Sequence, residues 1–317
     1  MAHIRIPAID ILKFLAVFLV MNSHMEICYP KFQFIATGGA IGDALFFFAS
    51  GFTLFLGRDM RFDEWYKRRI NRIYPSILAA AIVAYVIWRF EENIGDILLG
   101  KRYWFIGYIM IYYILIYPIK KIKKEKIIYW LFIGWLTLIF LCFFVVWRSN
   151  ISSLYSNKGV CRFLVFFLFM LQGAIMGKHP ELFTSKWWHV PVFLFSVASW
   201  LFLVQKGNRL VVLSVIPLLF LTYSVYCICN SRILSKLYNT RIVGSIIYVV
   251  SQLCLEVYLI QKFIFTDAFN YLFPWNVLVI MLVVIIAAYL VKVLAEFISQ
   301  TFKTEPYDWK KMLLWKR

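Results

Sequence analysis

The sequence predicts an all-α polytopic membrane helical bundle of about ten transmembrane helices with both termini cytoplasmic. Composition is the first observation: 62% of the 317 residues are hydrophobic and 20% aromatic, where soluble domains carry roughly 45–50% apolar residues. Apolar stretches that recur from residue 9 to residue 298 are the second, each near the roughly 20 residues that cross a hydrocarbon core. The third is their continuity: the runs do not alternate, and backbone exposed to lipid must satisfy its hydrogen bonds within its own segment, so the spans are helices and not barrel strands.

In chain order the spans are expected at 9–28, 35–56, 74–90, 103–119, 127–147, 160–177, 189–204, 210–229, 242–265 and 275–298. The first carries Asp10, Lys13 and His24 and is followed by no small-residue cleavage site, which sets it apart from a removable signal peptide. The second opens with Gly38 and Gly42, and the sixth holds Gly173 and Gly177. Small residues four apart let helices approach closely in lipid. Tyr and Trp gather near span ends, as at Tyr103 and Trp104 or Trp187 and Trp188, where an interfacial belt places them. No Gly, Pro or Ser-rich linker and no internal repeat divides the chain, so one membrane-embedded domain is expected over 1–317, closing in a short basic tail at 299–317.

The net charge of +18 belongs to short loops and not to a nucleic-acid surface. Most Lys and Arg residues fall at the N-terminus, in the loops after the even-numbered spans and in the tail, and the positive-inside rule makes that face cytoplasmic. His24 then belongs to the outer half of the first span. The six cysteines lie in or beside apolar segments with no His or carboxylate at metal-ligand spacing, so no metal is predicted. Small-hydrophobe packing accounts for them, with Cys28 and Cys161 near one face as a conceivable pair.

Ionisable groups within a span are costly and mark function by default. Asp10 and Lys13 are three apart on one helical face, where they can neutralise each other. His24, neutral when desolvated, has the state a general base needs to take a proton from a hydroxyl; a hydrogen bond to a neighbouring helix is the structural alternative. Glu26 and Asp43 are the acids that could orient it. In FDEWYKRRINRIYP, Arg69 and Arg72 are also three apart, with Lys67 and Arg68 beside them. Guanidinium forks match phosphates, so a phosphorylated cytosolic ligand suits this segment.

These blocks together resemble the acyltransferase 3 family of bacterial integral-membrane O-acyltransferases. IDILKFLAVFLVMNSH supplies Asp10, Lys13 and His24, and GDALFFFASGF supplies Gly42, Asp43, Phe46, Phe47, Ser50, Gly51 and Phe52. RRINRIYP resembles the family's Arg-x-x-Arg motif through Arg69 and Arg72, and SQLCLEVYLIQ a late block through Ser251, Glu256, Tyr258 and Leu259. Two positions depart: Lys13 stands where the family usually has Arg, and Gln261 where it often has His. The chain also ends soon after the last span, without the esterase-like domain that longer relatives append.

The resemblance implies transfer of an acyl group, most often acetyl, from cytosolic acyl-CoA to a hydroxyl of a cell-surface polysaccharide or lipid-linked glycan. It places the protein among membrane lipids in the bacterial cytoplasmic membrane. It assigns catalysis to His24 with Lys13, Asp10 and Asp43, and acetyl-CoA or another acyl-CoA to Arg69, Arg72 and Arg68. A multi-helix transporter or flippase for a glycan-related substrate is the rival reading, because buried charges among many helices also line substrate pathways.

Overall fold

A computed structural model describes residues 5–91, 93, 95–96, 103–147, 154–155, 159–206 and 209–314. Among them the regular elements are helices: α1 (Pro7–Asn22), α2 (Gly39–Leu56), α3 (Phe62–Trp88), α4 (Trp104–Lys121), α5 (Glu125–Trp147), α6 (Val160–Lys178), α7 (His189–Lys206), α8 (Val215–Cys229), α9 (Arg232–Tyr238), α10 (Arg241–Gln252), α11 (Cys254–Ile264), α12 (Trp275–Thr301) and α13 (Trp309–Met312). Each of the ten expected apolar stretches carries helix. Seven helical segments are long and apolar enough to cross a membrane, and α10 with α11 makes up to eight as one bent span. The difference from ten lies in the 16 residues of α1 and in α4, whose end holds Pro118, Lys120 and Lys121. Exposed Phe195, Leu194, Leu282 and Leu290 present the apolar surface that lipid covers.

Three boundaries differ from the apolar pattern, each for a local reason. α1 stops at Asn22 instead of running to residue 28. The Asn22 amide donates to the carbonyls of Ile35 at 2.7 Å and Thr37 at 3.0 Å and accepts from the Tyr29 hydroxyl at 2.6 Å. Those bonds fold the chain back on itself, which a continued helix could not do. α3 starts at Phe62, twelve residues before the expected 74, because its polar first half is helical without being apolar. The expected helix over 242–265 breaks by 77° at Leu253. There the Ser251 hydroxyl bonds back to the Tyr248 carbonyl at 2.8 Å, and the Cys254 thiol takes the Ser251 carbonyl at 3.2 Å. Side chains that capture main-chain carbonyls in this way bend helices.

The chain divides into two compact units. The first comprises Met1–Leu12, Asp43–Asp59 and Ile111–Asn239. Its core is aromatic: the Phe47 ring lies 5.1 Å from that of Tyr112 and 5.5 Å from that of Phe166, and Phe52 lies 5.0 Å from Tyr226. Glycine permits the closest approach, between α2 and α6. A methyl on Gly51 would strike the Met170 carbonyl, one on Gly173 the Phe48 carbonyl, and one on Gly177 would come within 2.5 Å of the Phe52 carbonyl. At the end of α2, the Lys120 ammonium donates to the carbonyls of Leu54, Gly57 and Arg58, satisfying acceptors that the helix leaves unused.

The second unit comprises Lys13–Gly42, Met60–Met110 and Thr240–Arg317. In it Gly42 lets α2 approach Val20 and Ala16 of α1. A polar seam ties α3, α11 and α12: Ser76 donates to Glu256 at 2.6 Å, and the Lys292 ammonium stands 3.3 Å from Glu256 and 3.2 Å from Glu296. Glu256 is 1% exposed. The tail is not a loose extension: Lys311 reaches Glu296 at 2.9 Å, Tyr307 stacks on Phe297, and Met312 and Leu314 are buried. Residues 315–317 of the expected tail lie outside the described residues.

Gly173→Ala should cost about 1–3 kcal/mol through overpacking, read as a lowered melting temperature of the detergent-solubilised protein. Lys292→Met should cost more, about 3–5 kcal/mol, because it leaves a buried carboxylate uncompensated. Adding Glu256→Gln to Lys292→Met should recover most of that loss; a double variant no more stable than the single would show that the pair does not couple.

Candidate functional site

The bend at Leu253 makes the first residue of α11 the start of a fresh helix whose leading amides lack intrahelical partners. That residue, Cys254, lies within electrostatic reach of Lys13 on α1 and of Glu256 and Arg72. Lys13 is half-buried and Arg72 exposed. Two cations of the second unit thus lie within electrostatic reach of the first residue of α11, with the charge of Glu256 already engaged by Lys292. This is the electrostatics of an anion site.

Helical geometry sets the arginines around it. α3 covers residues 68–72, so Arg69 and Arg72, three apart, share a face. Arg69 is half-buried, its guanidinium carbon 4.6 Å from the centre of the buried Trp65 ring. Stacking of this kind holds the fork in place while its N–H groups remain able to donate. Arg68 is exposed.

The other predicted residues occupy different surroundings. Asp10 is 4% exposed, and its carboxylate accepts from Arg5 at 2.5 Å and from the Tyr238 hydroxyl at 2.6 Å in the first unit. Those bonds give it a structural anchor where the sequence suggested neutralisation by Lys13. Asp43, half-buried on α2, has the Arg162 guanidinium of α6 within electrostatic reach. His24 is not inside a helix: it sits in the turn after α1, exposed, its backbone N–H on the Met21 carbonyl at 3.0 Å. The buried histidine among the described residues is a different one. His189, the first residue of α7, is 1% exposed, with Nδ1 3.0 Å from the Lys186 carbonyl.

Sequence reasoning passed over Ser76 and Arg162 and gave Lys292 no partner. The readable signal for Lys292 was a second ionisable group of opposite sign, Glu256, in a neighbouring span. Gln261 is 0% exposed, and neither polar atom of its amide has a hydrogen-bond partner among the described residues. Oε2 of Glu256 is likewise unsatisfied there. Buried polar atoms of this kind are places where a bound molecule can supply the missing bond. Among the described residues no group of His, Cys, Asp and Glu side chains converges as metal ligands would.

No curated protein and no solved structure matches the chain. A family described as an acyltransferase domain does, over residues 6–296, a stretch that contains every residue of the anion site and all seven residues the sequence assigned to function. The multi-pass helical protein described here therefore belongs to the acyltransferase 3 family, and its role is acyl transfer in a membrane.

Proposed function

We propose that the protein takes an acyl group, most often acetyl, from cytosolic acyl-CoA and places it on a hydroxyl of a cell-surface polysaccharide or lipid-linked glycan, working in the bacterial cytoplasmic membrane. The observation that carries this reading is the acyltransferase-family match over residues 6–296, and what supports its donor side is the electrostatic reach of Lys13 and Arg72 to the first residue of α11. Coenzyme A is a polyanion with a long uncharged arm, and two cations at a helix start suit its phosphates. Arg69 and Arg68 extend the basic face along α3.

α1 supplies the direction. Lys13 stands midway along it and His24 just past its C-terminal end, with roughly 14 Å of helix, at 1.5 Å per residue, between Lys13 and that end. An acyl-pantetheine arm anchored by its phosphates at Lys13 runs toward His24. There the imidazole takes the proton of the acceptor hydroxyl as its oxygen attacks the thioester carbonyl. Collapse of the adduct breaks the C–S bond, and the imidazolium returns the proton to the departing thiolate. In the covalent variant the imidazole nitrogen attacks the thioester carbonyl and expels the thiolate; the acceptor hydroxyl then attacks the acyl-imidazole, the C–N bond breaks, and the hydroxyl proton passes to the thiolate. Exposure of His24 fits contact with a large acceptor. Asp43 and Asp10 act in this scheme by holding helices of the first unit, through Arg162 and through Arg5 and Tyr238. The whole chain works as one acyltransferase domain in this reading.

A transporter or flippase is the second reading, favoured by the 77° break between α10 and α11, since broken helices line many transport pathways. Consumption of acyl-CoA separates the two.

His24→Ala, at unchanged membrane abundance, should abolish the acyl mass that the parent protein adds to surface glycans, a loss of about 10²–10⁴ in rate; retained acylation would remove His24 from the chemistry. Replacing Arg69 and Arg72 together with Ala should weaken acetyl-CoA binding to the detergent-solubilised protein by one to several orders of magnitude, at about 1.5–3 kcal/mol for each lost bond to a charged group. An unchanged affinity would take both arginines out of the donor site.

A further inference from the structure

Cys161 opens α6 and Cys142 lies near the end of α5, both in the first unit. Their sulfurs are 3.7 Å apart. Cys161 is buried and Cys142 half-buried. The other thiols have different neighbours: Cys28 faces the Thr266 carbonyl and Cys254 the Ser251 carbonyl, while Cys227 and Cys229 are two apart on one helix, where side chains do not face each other. The sulfur beside Cys161 is thus that of Cys142, where the sequence considered Cys28.

A disulfide needs sulfurs at about 2.05 Å, so the pair must close by roughly 1.7 Å, a displacement within reach of side-chain rotation. We propose that Cys142 and Cys161 form a redox-active pair that a small or protein disulfide oxidises to a single cross-link between α5 and α6. One thiolate attacks the oxidant disulfide, giving a mixed disulfide and releasing one thiol. The second thiolate then attacks the protein sulfur of that bond and expels the other thiol. Two protein thiols are oxidised and one external disulfide is reduced to two thiols.

The cross-link has a consequence within the first unit. Arg162, next in the chain after Cys161, is the cation within electrostatic reach of Asp43. Fixing the first turn of α6 to α5 therefore restrains the backbone of Arg162, the residue whose charge reaches Asp43. It also closes the 19-residue interval between the two cysteines, which limits the unfolded chain more than the folded one.

The test is oxidation of the full-length protein in detergent with oxidised glutathione, followed by thiol labelling in denaturant and peptide mapping. Two of the six cysteines should be lost to labelling and recovered on reduction, with Cys142 and Cys161 peptides joined. Cys142→Ser should abolish the joined peptide, and Cys161→Ala serves equally if the first variant does not fold. Oxidation should raise the melting temperature of the parent protein and not of either variant. Full labelling of all six thiols, glutathione retained singly on either cysteine, or a bridge to another cysteine would each overturn the proposal.

Discussion

A charge removed from water inside this protein is costly without a partner, and the structure follows from how the buried Glu256 is given its own. Glu256, 1% exposed, has Ser76 at 2.6 Å and Lys292 at 3.3 Å. These contacts fasten α11 to α3 and α12, the three helices of the second unit that meet around the bend. Lys292 in turn touches Glu296, which Lys311 of the folded-back tail also reaches. One buried carboxylate therefore organises a line of charge from the interior to an exposed lysine. In lipid the alternative to such pairing is an uncompensated ion, which is far more costly than an unmade contact in water.

The same requirement explains which parts of the fold the sequence revealed. Apolar runs long enough to cross a bilayer are read from composition because lipid admits little else, and helix was found at every one of them. Helix ends and bends depend instead on where a few polar side chains send their bonds. Asn22 ends α1 by reaching Ile35 and Thr37, residues that hydropathy places in the next segment. Ser251 and Cys254 break a continuous apolar run by engaging carbonyls of their own turn. Nothing in an apolar pattern distinguishes these residues from serines and cysteines that sit quietly in a helix.

For the candidate site the division is similar. Arg69 and Arg72 were legible because a spacing of three is a statement about one helix, and α3 begins early enough to include both. Gly173 was legible for the same reason, as one of two small residues on a single face. The shared electrostatic reach of Lys13, Arg72 and Glu256 to Cys254 was not, since it joins three segments far apart in the chain. His24 illustrates the opposite error. Its apolar flanks read as membrane interior, yet Asn22 stops the helix two residues earlier and leaves the histidine exposed in a turn.

That exposure alters what the histidine can do. A desolvated imidazole within a bundle would act on a substrate drawn in among the helices, which suits a small acceptor. In the proposed reaction an imidazole in a turn beyond the helix end meets a large acceptor from outside, and only the donor threads the protein. The cations of that reaction then belong further back along α1, at its middle, where Lys13 stands, and Lys13 and Arg72 both lie within electrostatic reach of the Cys254 thiol at the start of α11. A guanidinium at position 13 would offer a second fork; the lysine present offers a point charge on a flexible stem. Geometric selection of the phosphates in the proposed reaction therefore falls to α3, where Arg69 is already held by Trp65, and Lys13 contributes attraction more than orientation.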